Sequence, residues 1–285
     1  NSDGATVSAQ HSQFMLGTSN GFMGGYPVSR HYIACTPIAT LNSQPGAPMQ
    51  RDDWYSTSRV PEELAKPEAI GAYAASRALS RLGAKSIPTQ RCPVLFEAPL
   101  AAGLLGAYVQ ATSGGALYRQ SSFLLDCLGQ AVFPKHIDIL EEPHALRLTG
   151  SAPFDDEGVR TQSRRVVDAG VVQGYFLSTY SARKLGMKTT GNAGGSHHLQ
   201  LKSRLTRSGD DLPAMLKKMG TGLLVTDLMG QAVNYVNRDY SRGAFGYWVE
   251  RGVIVHPVEE ITIAGNLKEM FAQIVAIGSD TIIRG

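Results

Sequence analysis

The sequence predicts an α+β fold of curved, largely antiparallel β-sheets with packed helices, and three observations carry that prediction. Residues 164–179 read RRVVDAGVVQGYFLST, two β-rich runs about Asp168, Ala169 and Gly170, which is hairpin chemistry. A second hairpin pattern sets Gly246, Tyr247, Trp248, Val249 and Glu250 against Val253, Ile254 and Val255 across Arg251 and Gly252. Strand patterns dominate along the whole chain, and strands joined by hairpins run antiparallel.

In chain order, residues 5–39 read as two strands, TVSAQHSQFMLGTS and PVSRHYIACTPIA, joined through NGFMGGY. Glycine there permits the positive backbone angles of a turn or bulge. The stretch NSQPGAPM at 42–49 is a loop by composition, and 54–60 returns to strand character. Pro61, Glu62 and Glu63 are expected to open a helix running to about Leu82. Its first turn is acidic and Arg77 and Arg81 stand near its end, as the helix dipole favours, with Gly83 stopping it. PVLFEAPLAAGLLGAYVQATSGGALY at 93–118 reads as a short apolar strand feeding a helix of small residues. Residues 121–128 form a second short apolar pattern, and 133–143 a loop holding a short strand. Between the hairpins lie a short helix at 180–185, the loop GNAGG, a strand at 198–203, a helix at 212–219 and an apolar strand at 222–228. Ile261, Thr262 and Ile263 extend the last sheet, and 266–276 closes as an amphipathic helix. No linker or low-complexity segment interrupts the chain, which reads as one domain over 1–285.

Composition sets the outer bounds. A 285-residue chain with 43% hydrophobic and 18% charged residues can bury a real core. The net charge of +3 is small and the basic residues are scattered, the densest group being Lys202, Arg204 and Arg207, so no basic face for direct nucleic-acid contact is expected. Cys35, Cys92 and Cys127 are odd in number and contain no CxxC pair, which fits a reducing compartment, with the cytoplasm as the default. No apolar run approaches the ~20 residues that span a bilayer. The chain starts Asn1, Ser2, Asp3, Gly4 and ends Ile283, Arg284, Gly285, and is expected to be part of something longer.

Candidates for chemistry are thin. A strand running into a helix is a favoured place for an active site, yet residues 98–118 carry no charged side chain. His197 and His198 follow GNAGGS, but neighbours on a strand point to opposite faces and cannot chelate one ion together. His31, His136, His144 and His256 stand alone, without HxH or HxxxH spacing. Asp155, Asp156 and Glu157, like Glu141 and Glu142, sit in loop-like stretches where solvated turn acids are the plain reading. Cys127 in FLLDCLG reads as a buried inert thiol. Neither GNAGG nor GTSNGFMGG has the Lys-Ser/Thr tail of a phosphate-binding loop.

Several stretches together resemble the TldD/PmbA family, and within it the PmbA (TldE) subgroup, also described as modulators of DNA gyrase and metallopeptidase subunits. They are NSDGATVS at 1–8, GGALYRQSSFLLDCLGQ at 114–130, PFDDEGVRTQ at 153–162, LSTYSARKLGMKTTGNAGG at 177–195, MGTGLLVTDLMGQ at 219–231, DYSRGAFGYWVE at 239–250 and PVEEITIAGNLKEM at 257–270. They run nearly end to end in family order, and YSARKLG and ITIAGNLK are specific. The resemblance implies the family's C-terminal-type domain, without its N-terminal domain and extreme C-terminus. It further implies a cytosolic heterodimeric zinc peptidase whose TldD-like subunit carries an HExxxH helix. In such a helix two histidines on one face hold the metal and the intervening glutamate takes a proton from the attacking water. The corresponding helix here should lie within 98–112, and no His or Glu occurs between Ala98 and Lys135.

On that resemblance the chain is expected to hold no cofactor and no catalytic residue, with zinc in a TldD-like partner. Gly103 and Gly106, with Ala101, Ala102 and Ala107, are expected to let another backbone approach and to shape a tunnel or interface. Gly222, Leu223, Leu224, Val225 and Thr226, and Tyr247, Trp248 and Val249, are the candidate edge segments that add an extended, unfolded peptide as a strand. The implied substrates are leader-bearing precursors of modified peptide antibiotics and unstable antitoxin-type proteins, and the chain alone could form a homodimer. Two rivals stand beside this: an independent hydrolase with a scattered site such as His31, His197 and Asp227, and an interaction protein that modulates DNA gyrase.

Overall fold

A long hairpin opens the chain. β1 (Ser2–Gly17) pairs antiparallel with β2 (Met23–Thr40), from Gly4 opposite Thr36 to Gly17 opposite Met23, with Gly21 at φ +87° in the turn. The structure is a computed structural model and describes residues 1–42, 44 and 46–282. Ser43 and Pro45 of the expected 42–49 loop, and the closing Ile283, Arg284 and Gly285, lie outside the described residues. β3 (Met49–Arg51) and β4 (Trp54–Ser58) pair with the other edge of β2. Residues 2–13 of β1 are exposed on both faces, and among the described residues its outer edge has no strand beside it.

The helix expected from Pro61 begins later. Pro61–Glu63 make a single 3-10 turn, Leu64 is extended, and α1 (Pro67–Ser80) starts at a second proline. Pro67 has no N–H with which to continue a helix through itself, and its ring keeps Lys66 out of helical angles, so the helix restarts there with Glu68 in its first turn. Gly83, at φ +75°, follows the helix end as expected.

β5 (Val94–Phe96) feeds α2 (Ala98–Ala111) and α3 (Gly114–Tyr118), as the pattern at 93–118 predicts. The expected element at 121–128 is instead a run of turns. Asp126 has φ +53°, and backbone N–H groups go outward, Phe123 to the Tyr235 carbonyl and Leu128 to the Tyr175 hydroxyl. Leu124 and Cys127 from this stretch are still buried core.

β6 (Ile137–Glu141), β7 (Arg164–Asp168), β8 (Val171–Val172) and β9 (Leu199–Ser203) form an antiparallel sheet in the order β8-β7-β6-β9. The β7–β8 turn has Ala169 at φ +47° and Gly170 at φ +81°, the two positive angles a tight hairpin needs. α4 (Thr179–Lys184) lies between β8 and β9, and α5 (Leu212–Met219) follows, its N-terminus capped by Asp211 accepting from the Ala214 N–H. β10 (Gly222–Val233), β11 (Asp239–Glu250) and β12 (Val253–Asn266) complete a sheet ordered β12-β11-β10-β5, in which β5 lies parallel to β10. α6 (Leu267–Ala272) stops short of 276, because the carbonyls of Ile274 and Ile277 accept from His136 and Thr206 instead of continuing a helix.

Alternation along β10 feeds two cores. Leu223 and Val225 pack with Ala244 and Val258 on the side that Phe96 and Leu100 cover, while Leu224 packs with Phe245, Tyr247 and Val249 against Leu216 of α5. The largest cluster joins Tyr108 and Ala111 of α2 to Ile137, Ile139 and Val166 of the third sheet and Phe271 of α6. Helix α2 is thereby wedged between two sheets.

Candidate binding cleft beside helix α2

At the strand–helix junction the chain turns out of the sheet at Glu97, whose N–H donates to the Val225 carbonyl. Alanine, leucine and a proline at the start make α2 a strong helix, and Glu97 occupies its N-cap position without capping it. The Glu97 carboxylate instead accepts from Arg77 of α1 at 2.7 Å. Arg77 also lies 3.3 Å from Asp52 and donates to the Thr226 carbonyl at 3.4 Å. Arg81, one turn on, reaches Asp52 at 3.4 Å and Asp227 at 3.3 Å, with its guanidinium 3.7 Å from the Phe245 ring centroid. Burial pushes the Glu97 carboxyl up and the Arg77 guanidinium holds against that rise. This buried network pins the first sheet to the junction and leaves Glu97 committed to an ion pair.

Further along α2, a partly open cavity of about 230 Å³ lies between the helix and the β10–β11 sheet. Leu100, Gly103 and Ala107 form its helical wall, Leu228 and Val233 its apolar floor, and Tyr235, Tyr240 and Arg242 its polar side. Arg242 donates to the Leu228 carbonyl at 3.2 Å, but its Nε has no hydrogen-bond partner. The lining contains no carboxylate. Burial raises the phenols of Tyr235 and Tyr240, the latter partly offset by Arg242 beside it.

The model of the PmbA/TldA metallopeptidase central domain matches residues 1–82, and that of the PmbA/TldA metallopeptidase C-terminal domain matches residues 89–285. The chain belongs to the PmbA/TldD metallopeptidase family. Metalloprotease PmbA of Escherichia coli is 45% identical to it over 280 residues, 98% of this chain and 60% of that protein. The PmbA homolog of Haemophilus influenzae is 44% identical over the same length and shares. A solved structure from Bacteroides thetaiotaomicron that bears the name modulator of DNA gyrase matches with a TM-score of 0.88 at 28% identity, over 97% of this chain and 61% of that one. The chain therefore spans about three fifths of the length of the relatives it matches.

In this PmbA/TldD family member, α2 is the helix that the resemblance points to for a metal site, and it reads APLAAGLLGAYVQA. Among the described residues no three His, Cys, Asp or Glu side chains are grouped so as to hold a metal ion. The residues on α2 do not fit one. His31, His197 and Asp227 sit in separate surroundings. His31 is buried on β2 with its ring 5.1 Å from that of His11, His197 donates to the Gly191 carbonyl, and Asp227 pairs with Arg81.

One expectation for the site residues is corrected, and it concerns the sheet edge. At Gly103 and Gly106, expected to let another backbone approach, an added Cβ meets nothing of this chain within 4 Å. They leave space unfilled, and at Gly103 that space is the cavity. Gly222, Leu223, Leu224, Val225 and Thr226 with Tyr247, Trp248 and Val249 were expected to offer a sheet edge. They lie on the two inner strands: Gly222 and Leu223 face Val249 and Trp248, Leu223 also faces Val94, and Trp248 also faces His256. Their apolar runs reflect burial on two faces, which a period reading does not separate from an edge. Beyond Val225 the β5 pairing ends, and among the described residues β10 continues past α2 with only β11 paired to it.

Sequence reasoning passed over Arg242. Its signal was present, an arginine within DYSRGAFGYWV, a run otherwise suited to a buried strand.

Proposed function

We propose that this chain is the substrate-gripping, metal-free part of a cytosolic zinc metallopeptidase complex, in which a TldD-like subunit supplies the zinc and the catalytic groups. The observation that carries this reading is α2, a helix in a cleft at the end of a strand, without a single metal-ligating side chain. The side of β10 that β5 leaves uncovered after Val225, about Asp227 and Met229, would take an extended peptide as an added strand that runs into the cavity beside α2. Strand addition uses backbone hydrogen bonds and so tolerates many sequences, which suits unfolded substrates such as antibiotic-precursor leaders and antitoxins. Kinship to proteins called metalloproteases supports the peptidase setting.

The experiment is peptidase turnover of an unfolded leader-type peptide, with zinc quantified, for the full-length protein alone and mixed with its TldD-like partner. Activity only in the mixture, with zinc tracking the partner, is expected. Zinc-dependent turnover by this protein alone would overturn the reading. The name of the Bacteroides structure favours one second reading, modulation of DNA gyrase, which calls for gyrase binding by the chain with no peptidase partner present.

A further inference from the structure

We infer that the cavity between α2 and the β10–β11 sheet is a binding site for a small carboxylate with an apolar body, held at Arg242. The charge is unbalanced: Arg242 lines the cavity, no hydrogen-bond partner offsets its buried Nε, and no carboxylate belongs to the lining. A guanidinium presents its donors as a planar fork that matches a carboxylate edge to edge, and it stays charged at any working pH. The Leu228 carbonyl accepts from Arg242 at 3.2 Å and holds the side chain in place before a ligand arrives.

The same lining disfavours other ligands. A cation meets the guanidinium, and a doubly charged phosphate would leave water for a pocket with a single cationic group to balance it. At about 230 Å³ the cavity falls below the ~300–1,000 Å³ of sites for drug-sized ligands, so it takes something near the size of one amino-acid residue. Gly103 keeps the wall open, since a Cβ there meets nothing within 4 Å. The C-terminal residue of a peptide lying along β10 is such a ligand. That source rests on the strand-addition reading above, whereas the carboxylate recognition rests on Arg242 alone.

The test titrates the chain with N-acetyl-leucine and with N-acetyl-leucinamide, then with a leucine-terminated hexapeptide as free acid and as C-terminal amide. Calorimetry gives affinity and tyrosine fluorescence reports on the lining. Saturable binding of the acid, about tenfold tighter than the amide, is expected. Arg242→Gln should abolish the preference for the acid and Arg242→Lys should restore part of it. Gly103→Val should block every ligand by filling the cavity, and it keeps the test decisive if Arg242→Gln does not fold. No binding, equal binding of acid and amide, or binding untouched by Gly103→Val overturns the inference. Binding of N-acetyl-leucine without the hexapeptide upholds the carboxylate site and removes the peptide-gripping reading.

Discussion

Gly246 shows how tightly a single position can be constrained. It sits on β11 between Val225 and Val258, and a Cβ added there would collide with the Leu224 carbonyl oxygen. That oxygen belongs to the sheet backbone and cannot swing away. Gly246→Ala is expected to cost roughly 1–3 kcal/mol, read as a lower urea midpoint at unchanged slope. Gly103 is the opposite case, a glycine with empty space in front of it. The sequence presents both simply as glycines in apolar runs. What separates them is the neighbouring strand in one case and a cavity in the other, and neither is encoded locally. Glu97 was hidden for a related reason: its partner Arg77 is twenty residues away, on a helix whose packing against the junction no spacing rule supplies.

Among the elements, the strongest coupling runs through α1. Arg77 and Arg81 were legible as helix-end residues that favour the dipole, but the structure uses them as the cationic centre of a network with buried Asp52 and Glu97 and half-exposed Asp227. Removing one partner leaves buried charges uncompensated. Arg77→Met is expected to destabilise by about 3–5 kcal/mol, and adding Glu97→Gln should recover part of the loss, a coupling that a double-mutant cycle in urea would measure. A second device secures the β7–β8 hairpin: Asp138 accepts from Arg204 at 2.8 Å on both oxygens and from the Ala169 N–H in the turn. The Arg204 guanidinium holds the Asp138 carboxyl below the usual carboxylate range. A depressed folded-state pKa means that stability is present above the unfolded value of ~3.9 and is lost as pH falls through the folded one. Asp138→Asn should therefore cost about 1–2 kcal/mol at pH 7, a difference that stays level down to roughly pH 4 and shrinks below it. Both hairpins were readable because their turns need Gly170 and Gly252 at positive φ. The start of α1 was not, because Pro61 and Pro67 each satisfy the rules for a helix beginning and only the second has a helix after it.

Across the whole molecule, order is unevenly distributed. Leu223, Leu224 and Val225 of β10 and Ala244, Phe245 and Val249 of β11 feed cores on both faces of their sheet, whereas β1 shows both faces and one edge to solvent over residues 2–13. Backbone amide exchange should accordingly be fastest in the outer half of the β1–β2 hairpin and slowest in β10 and β11, and hydrogen-exchange mass spectrometry should resolve the two. Equal protection would mean that something covers the hairpin. The general α+β class and the antiparallel sheets followed from turn chemistry, but which strand lies inside a sheet depended on β5, three residues long and paired in parallel from far away in sequence. The exposed β1 also governs how the chain behaves at concentration. Its sixteen residues contain no proline, lysine or arginine, and its one acidic side chain, Asp3, is already paired with Arg51. Such a strand is a template for stacking copy upon copy, with Val7 and Met15 exposed along it. Colloidal stability, more than folding stability, then sets how much of the chain a solution can hold.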